Sequence, residues 1–157
     1  MKLLLAIDGS EFSAAAVHRV AAMPWPAGSS VLLLELVRSD LLLMSDFFVS
    51  ASAEIEKILQ EEEVRAAIGL RGLVPQLEAA HLTVTTRVER GDPRSVIVET
   101  AAREKCDLVV LGSHGRTGFR RLLLGSVAAH VVAHAPCDVL VVRYSAQNPE
   151  PSRKEQA

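Results

Sequence analysis

The chain has 157 residues, of which 49% are hydrophobic, 23% charged and only 4% aromatic, and its formal net charge is −2. This balance is typical of one globular domain with a sizeable core. It provides no basic surface for nucleic acid or anionic lipid, and too few aromatic rings for base stacking. No apolar run reaches the roughly 18 residues of a membrane-spanning helix, and the start lacks a signal-peptide pattern. We therefore expect a cytoplasmic protein, in which Cys106 and Cys137 are small buried hydrophobes rather than a disulfide framework.

The first part of the chain alternates between strand-like and helix-like patterns. Residues 3–7 form a continuous apolar run of strand length, and residues 10–23 repeat apolar side chains at helical spacing, with Ser10 as the predicted N-cap. A second strand is predicted over 31–37, after a break rich in proline and glycine. Residues 38–50 fit neither the period of a helix nor that of a strand, so we expect a loop with an apolar patch there.

A long helix is predicted next, and its end is less regular. Residues 51–69 carry apolar side chains along one face of a helix. Gly72 and Pro75 are expected to interrupt this helix, because proline removes a backbone donor and clashes with the preceding turn. Residues 76–81 could restart it.

The second half of the chain continues the alternation and ends in a polar tail. The segment 82–89 alternates and is rich in β-branched residues, which predicts an edge strand with one wetter face. The remaining predicted strands are 107–111 and 138–143, and the remaining helices are 94–104 and 126–135. Apolar strands alternating with helices predict a single α/β domain over 1–144, an open and mostly parallel five-stranded sheet with helices on both faces. Residues 145–157 are polar, and we expect them to be disordered.

Two strands of this predicted sheet end in unusual residues. The first strand ends at Asp8, before a glycine and a serine, and the fourth ends in the sequence GSHG, from Gly112 to Gly115. In open α/β sheets ligands bind beyond the carboxyl ends of the strands, where the winding direction reverses. A strand order of 3-2-1-4-5 would place these two ends side by side, although the pattern alone leaves the order open.

The glycine-rich segment after the fourth strand could hold a phosphate. Glycines at 112, 115 and 118 allow close backbone approach, and Gly125-Ser126 opens the following helix, whose first amides have no partner within the helix. Arginines at 116, 120 and 121 could add positive charge. Asp8 is suited to accept hydrogen bonds from ribose hydroxyls. The segment matches neither the P-loop nor the GxGxxG fingerprint.

Two sets of histidines have alternative interpretations. His130 and His134 have the HxxxH spacing that can bind zinc, but no third ligand is evident and we interpret them as surface residues, so no metal site is predicted. His114 lies inside the glycine-rich segment, where it could shape the loop, contact a phosphate or act in acid–base chemistry. The GxSxG pattern of a hydrolase elbow is absent from the sequence, and no catalytic residue is predicted.

Taken together, these residues resemble the universal stress protein family. The family signature is G-x2-G-x9-G-[ST], and Gly112, Gly115, Gly125 and Ser126 match it without a gap. The segments AIDGSEFS, VLLLELV, RGDPRSVIVETA, DLVVLGSHGRTG and APCDVLVVR also look alike, so that the resemblance extends over residues 1–143. One departure is Glu35, where many members have histidine.

The resemblance implies a nucleotide site and a dimer. It implies the strand order 3-2-1-4-5, ATP, with or without Mg²⁺, as the ligand of the nucleotide-binding branch, and a homodimer joined through the last strand, residues 138–143. The implied nucleotide contacts are Ala6, Asp8, Leu36, Leu111, Gly112, His114, Gly115, Arg116, Gly125, Ser126 and Val127. We expect a regulatory stress-response module that could also contact another protein. The alternatives are an enzyme that cleaves the nucleotide at its α-phosphate, and a nucleotide-free dimer as in the family's other branch.

Overall fold

The computed structural model describes residues 1–38, 52–115 and 123–144. The expected loop from residue 39 onward and the expected tail from residue 145 therefore lie outside the described residues. In chain order the elements are β1 (Lys2–Ile7), α1 (Glu11–Ala22), β2 (Ser30–Val37), α2 (Ser52–Glu78), β3 (Thr83–Arg90), α3 (Pro93–Arg103), β4 (Leu108–Gly112), α4 (Ser126–His134) and β5 (Asp138–Val142).

The five strands form one parallel sheet in the order β3-β2-β1-β4-β5. This confirms the predicted α/β fold and the strand order that the resemblance implied. The central strand β1 pairs with β2 on one side and β4 on the other, so that Leu4 lies opposite both Leu32 and Val109. The carboxyl ends of β1 and β4 are therefore neighbours, as a shared site at their ends requires.

Alternate residues of the central strands point to opposite faces of the sheet. Leu3 and Leu5 pack with residues of α1 and α2 in one core cluster, whereas Leu4 packs with α3 and α4 in a second. All three leucines are fully buried. Burial on both faces explains why these strands read as uninterrupted apolar runs instead of alternating ones.

The expected interruption of the second helix at Gly72 and Pro75 is wrong. Helix α2 continues through both residues to Glu78. Proline inside a helix costs about 3 kcal/mol, but burying one leucine side chain recovers about 1.5–3 kcal/mol. Leu70 and Leu77, on either side of the proline, are both fully buried against the sheet. Packing of this face therefore outweighs the local preference to stop.

The edge strand β3 is fastened to the helices on both faces by ion pairs. Arg87 contacts Glu104, just beyond α3, at 2.8 Å, while Arg90 binds two carboxylates of α2. Glu104 also accepts a hydrogen bond from Lys2 at 2.6 Å. The hydrogen bonds from Lys2 and then Arg87 lower the pKa of Glu104 from 4.5 to about 2. The charges on β3 agree with its predicted place at an edge.

Candidate functional site

A crevice of about 910 Å³ opens beyond the carboxyl ends of β1, β2 and β4. This volume lies in the range of small-molecule and cofactor sites. Ten of the eleven nucleotide contacts named from the sequence line it: Ala6, Asp8, Leu36, Leu111, Gly112, His114, Gly115, Gly125, Ser126 and Val127. The eleventh, Arg116, lies outside the described residues, as do the glycine at 118 and the arginines at 120 and 121. The fold thus gathers residues that are more than a hundred positions apart.

Asp8 stands at the mouth of this crevice and is held in place by the start of α1. Its Oδ1 atom accepts hydrogen bonds from the Ser10 amide at 3.0 Å and the Ser10 hydroxyl at 2.6 Å. The Ser10 Oγ atom in turn accepts from the Ser13 amide at 3.2 Å, which confirms the predicted N-cap. Glycine at position 9 has φ +75°, the left-handed conformation that this turn requires. The carboxylate is therefore oriented before any ligand arrives.

Gly115 lets the segment after β4 approach this carboxylate. A Cβ atom placed on Gly115 would lie 2.8 Å from Asp8 Oδ2, which is closer than real Cβ contacts. A larger residue would have to displace the acceptor that the sequence assigns to ribose. The glycine is thus explained by contact between the two strand ends.

The end of β4 and the start of α4 are joined directly. The Gly125 amide donates to the Ser113 carbonyl at 2.7 Å. A Cβ atom on Gly125 would lie 3.2 Å from His114 Cα and 3.3 Å from Ser113 O, so a side chain there would press on the backbone. Residues at the end of β4 and at the start of α4 therefore contribute to one wall of the crevice.

The N-terminus of α4 faces the crevice without a side-chain cap. Gly125 is the N-cap residue and has no side chain to offer, and the first helical hydrogen bond runs from the Ala129 amide to Gly125 O. The amides of Ser126, Val127 and Ala128 precede that bond, and all three residues line the crevice. By contrast, the side chains of Ser10 and Asp92 cap α1 and α3. Uncapped amides at a helix N-terminus form a ready anion site.

Gly112 lines the same crevice but has a packing role of its own. A Cβ atom there would lie 2.6 Å from Phe12 Cβ and 2.8 Å from the Phe12 backbone carbon. The glycine therefore lets the end of β4 pass against the first turn of α1. Its predicted phosphate contact stays a prediction.

His114 is fixed at the rim of the crevice by two neighbours. Its Nδ1 atom lies 3.1 Å from the Ser113 hydroxyl, and its ring lies 5.2 Å from the Phe12 ring in a tilted arrangement. The Ser113 side chain is almost fully buried. This arrangement orients the imidazole beside the glycines, as loop shaping or phosphate contact would require.

Sequence reasoning missed one wall of the crevice, which α2 forms. The lining residues from this helix are Glu62, Arg65, Ala66 and Gly69, and Arg38 joins them from the end of β2. Arg38 follows the carboxyl end of a strand, so its position was a usable signal. No sequence signal marked the α2 residues, because their position at the crevice depends on how the helix docks on the sheet. The ion pairs of Arg90 with α2 help to hold that docking.

The histidines and cysteines away from the crevice form no metal centre among the described residues. His130 and His134 stack on each other with ring centroids 4.1 Å apart, and His134 Nδ1 lies 2.8 Å from the His130 carbonyl oxygen.

Cys106 is buried and Cys137 partly buried, and burial raises the pKa of both thiols. The expected burial is thus confirmed for Cys106, while Cys137 packs against the same core but stays partly exposed.

Comparison with known proteins identifies a single family. Residues 1–143 match the model of the universal stress protein family. A universal stress protein of Synechocystis, Sll1388, is 28% identical over 150 residues, which cover 91% of this chain and 97% of that protein. Within the part of the chain that the structure describes, no helix is long and apolar enough to cross a bilayer.

Two solved structures extend this similarity to three dimensions. The structure of the protein MJ0577 is 29% identical, with a TM-score of 0.78, and covers 92% of this chain and 96% of its own. A universal stress protein solved in complex with cAMP is 25% identical, with a TM-score of 0.62, and the match covers 92% and 98% of the two chains.

Proposed function

This chain belongs to the universal stress protein family, and on that premise we propose that it binds an adenine nucleotide, ATP above all, in the crevice beyond β1, β2 and β4. The observation that carries the proposal is the uncapped N-terminus of α4, which presents its first amides to a crevice of nucleotide size. The solved relative in complex with cAMP supports an adenine nucleotide as the ligand class.

Each part of the nucleotide has a complementary part of the crevice. The phosphates would accept from the amides of Ser126, Val127 and Ala128, and Mg²⁺, if present, would neutralise part of their charge. Asp8 would accept from the ribose hydroxyls, and Ala6 and Leu36 would border the adenine. Three hydrogen bonds to a charged group contribute about 5–9 kcal/mol before ordering costs, comparable with the ~8 kcal/mol of a micromolar complex.

Equilibrium dialysis of labelled ATP against the purified chain tests this proposal. We expect micromolar binding, loss of binding on Gly125→Val, and about a fivefold to tenfold loss on Asp8→Asn, because the neutral amide is a weaker acceptor than the carboxylate. A matched control is Gly28→Asn, a glycine remote from the crevice whose φ of +79° asparagine tolerates. Absence of binding at millimolar ATP would refute the proposal and favour the nucleotide-free alternative.

The same proposal includes a regulatory role for a dimer formed through β5. This edge strand exposes half-buried apolar residues, Val139, Leu140 and Val141, and α4 leaves Val132 50% exposed beside it. An apolar strand at a sheet edge requires cover, and a second copy of the chain would supply it. Light scattering after size exclusion should give twice the mass of the chain, and Val141→Lys should give a single copy; a monomeric wild type would remove this part of the proposal.

The proposed role is binding rather than rapid turnover. The bound nucleotide would change how the chain contacts a second copy or another protein. Turnover above about one per second is ordinary for enzymes and would contradict this role. Release of AMP and pyrophosphate at that rate would favour the α-phosphate-cleaving alternative, and chromatography of the incubated nucleotide distinguishes the products.

A further inference from the structure

The last residue of β5 and the residue after it contact both described ends of the glycine-rich segment: the arm that leaves β4, at Ser113, and the arm that leads into α4, at Leu123. The Val142 carbonyl accepts from the Ser113 amide at 2.8 Å, on the arm that leaves β4. The Arg143 guanidinium donates to the Leu123 carbonyl at 3.3 Å, on the arm that leads into α4. Val142, the last residue of β5, and Arg143, the residue after it, therefore hold the two chain ends that meet at the crevice.

The next residue extends this contact to the start of α1. The Tyr144 ring lies edge-on to the Phe12 ring, with centroids 6.2 Å apart and an angle of 77°. The Phe12 ring contacts His114 at 5.2 Å on its other side. Edge-to-face aromatic contacts have a preferred geometry, so a shift of His114 would move the Phe12 ring and change the environment of the Tyr144 ring.

These contacts bear on phosphate binding in two ways. The Leu123 carbonyl is two residues before Gly125, so the bond from Arg143 restricts where the first amides of α4 can lie. A site already ordered loses less entropy when its ligand binds. The guanidinium also brings a positive charge close to a helix N-terminus that would receive phosphates.

We propose that Arg143 and Tyr144 are positioning residues of the nucleotide site: they hold the end of β4 and the start of α4 in place at the crevice and transmit its occupancy to the β5 edge. This inference rests on the proposed nucleotide binding. Because coupling free energies are reciprocal, anything that covers the end of β5 would change nucleotide affinity by the same factor as the nucleotide changes its binding.

Dialysis with two ligands tests the positioning role of Arg143. We expect Arg143→Met to weaken ATP binding about fivefold while leaving the affinity for adenosine unchanged, because only ATP has the phosphates that the N-terminus of α4 would receive. Arg143→Lys keeps a cationic donor and should remain within about twofold of wild type. The matched control is Arg19→Met, which removes an exposed guanidinium from the last turn of α1.

A second measurement uses Tyr144, the only tyrosine in the chain. Incorporation of fluorotyrosine gives one fluorine resonance, and we expect ATP to shift it with the same midpoint as the dialysis. This reading does not depend on whether Arg143→Met folds. A circular dichroism spectrum of each variant confirms that the chains being compared are folded.

The outcomes separate this inference from the proposed function. If the wild type binds no ATP, both are overturned. If it binds ATP but the Tyr144 resonance does not move, or Arg143→Met binds ATP as tightly as wild type, only the positioning role is overturned. Equal loss of ATP and adenosine binding in Arg143→Met would likewise overturn the positioning role, because it would show that Arg143 supports the fold as a whole and not the phosphate end of the site.

Discussion

Replacement of Gly112 by alanine should lower the free energy of unfolding, because it causes a clash within the fold that does not depend on any ligand. The added Cβ atom would meet Phe12 Cβ at 2.6 Å, and the Phe12 backbone carbon and oxygen at 2.8 and 3.0 Å. Carbon atoms in contact normally lie about 3.5–4.0 Å apart, so β4 and the first turn of α1 would have to separate by about 1 Å. Phe12 is only 8% exposed, and its ring is fixed between His114 and Tyr144, which leaves little room for that movement.

The size of this effect follows from the cost of overpacking. Extra atoms in a well-packed region cost about 1–3 kcal/mol. For a chain of this length each kcal/mol lowers Tm by about 2–4 °C, so we expect a decrease of roughly 4–8 °C for a cost near 2 kcal/mol. Calorimetry and urea unfolding of Gly112→Ala against wild type measure both quantities.

Gly115→Ala provides the contrast, because the atom that it would displace is the terminal oxygen of Asp8 instead of backbone. This variant should lower Tm less than Gly112→Ala and lose nucleotide affinity, because only the end of the Asp8 side chain must shift, which weakens its hydrogen bonds from Ser10 but separates no backbone segments. If Gly112→Ala left Tm unchanged, or if Gly115→Ala proved the more destabilising of the two, the division of roles between these glycines would be refuted.

Three further predictions follow from the fold. Gly72→Ala, at a helical glycine with no neighbour within 4 Å, should stabilise the chain by about 0.5–1 kcal/mol in urea unfolding; a lower midpoint would mean that α2 is strained there. Because the pKa of Glu104 falls from 4.5 to about 2 on folding, its contribution is complete above pH 4.5 and is lost as pH falls toward 2. Glu104→Gln should therefore flatten the decline of stability in that window, and an unchanged slope would contradict the ion-pair assignment. Cys106 and Cys137, whose thiol pKa values burial raises, should react with iodoacetamide at pH 8 far more slowly in the native chain than in urea; equal rates would contradict their burial.

The fold could be predicted from sequence because its local signals agree with its packing. The strands over 3–7 and 31–37 were recognisable as buried because β1 and β2 are covered on both faces. The N-cap at Ser10 was recognisable from its residue type. Pro75 wrongly predicted an interruption of α2. The burial of Leu70 and Leu77, which outweighs the cost of the proline, arises only when the helix docks on the sheet and cannot be read from local helix propensity.

The candidate site was predictable for a similar reason, and only in part. Asp8 and the glycines at 112, 115 and 125 stand next to strand or helix ends, and parallel topology brings such ends together. The wall formed by α2 could not be predicted, since nothing in the helical pattern tells which of its turns overhangs the crevice. The packing role of Gly112 against Phe12 was also invisible without coordinates.

The two edges of the sheet differ in a way that bears on the proposed pairing of two copies of this chain. The β3 edge carries charged side chains that are engaged with the flanking helices, whereas the β5 edge is apolar. A molecule with two receptive edges could add copies without end and form a fibre. A molecule with one receptive edge stops at a pair. In the proposed pair formed through β5, the ion pairs of Arg87 and Arg90 would keep the β3 edge from adding further copies, besides holding β3 to the helices.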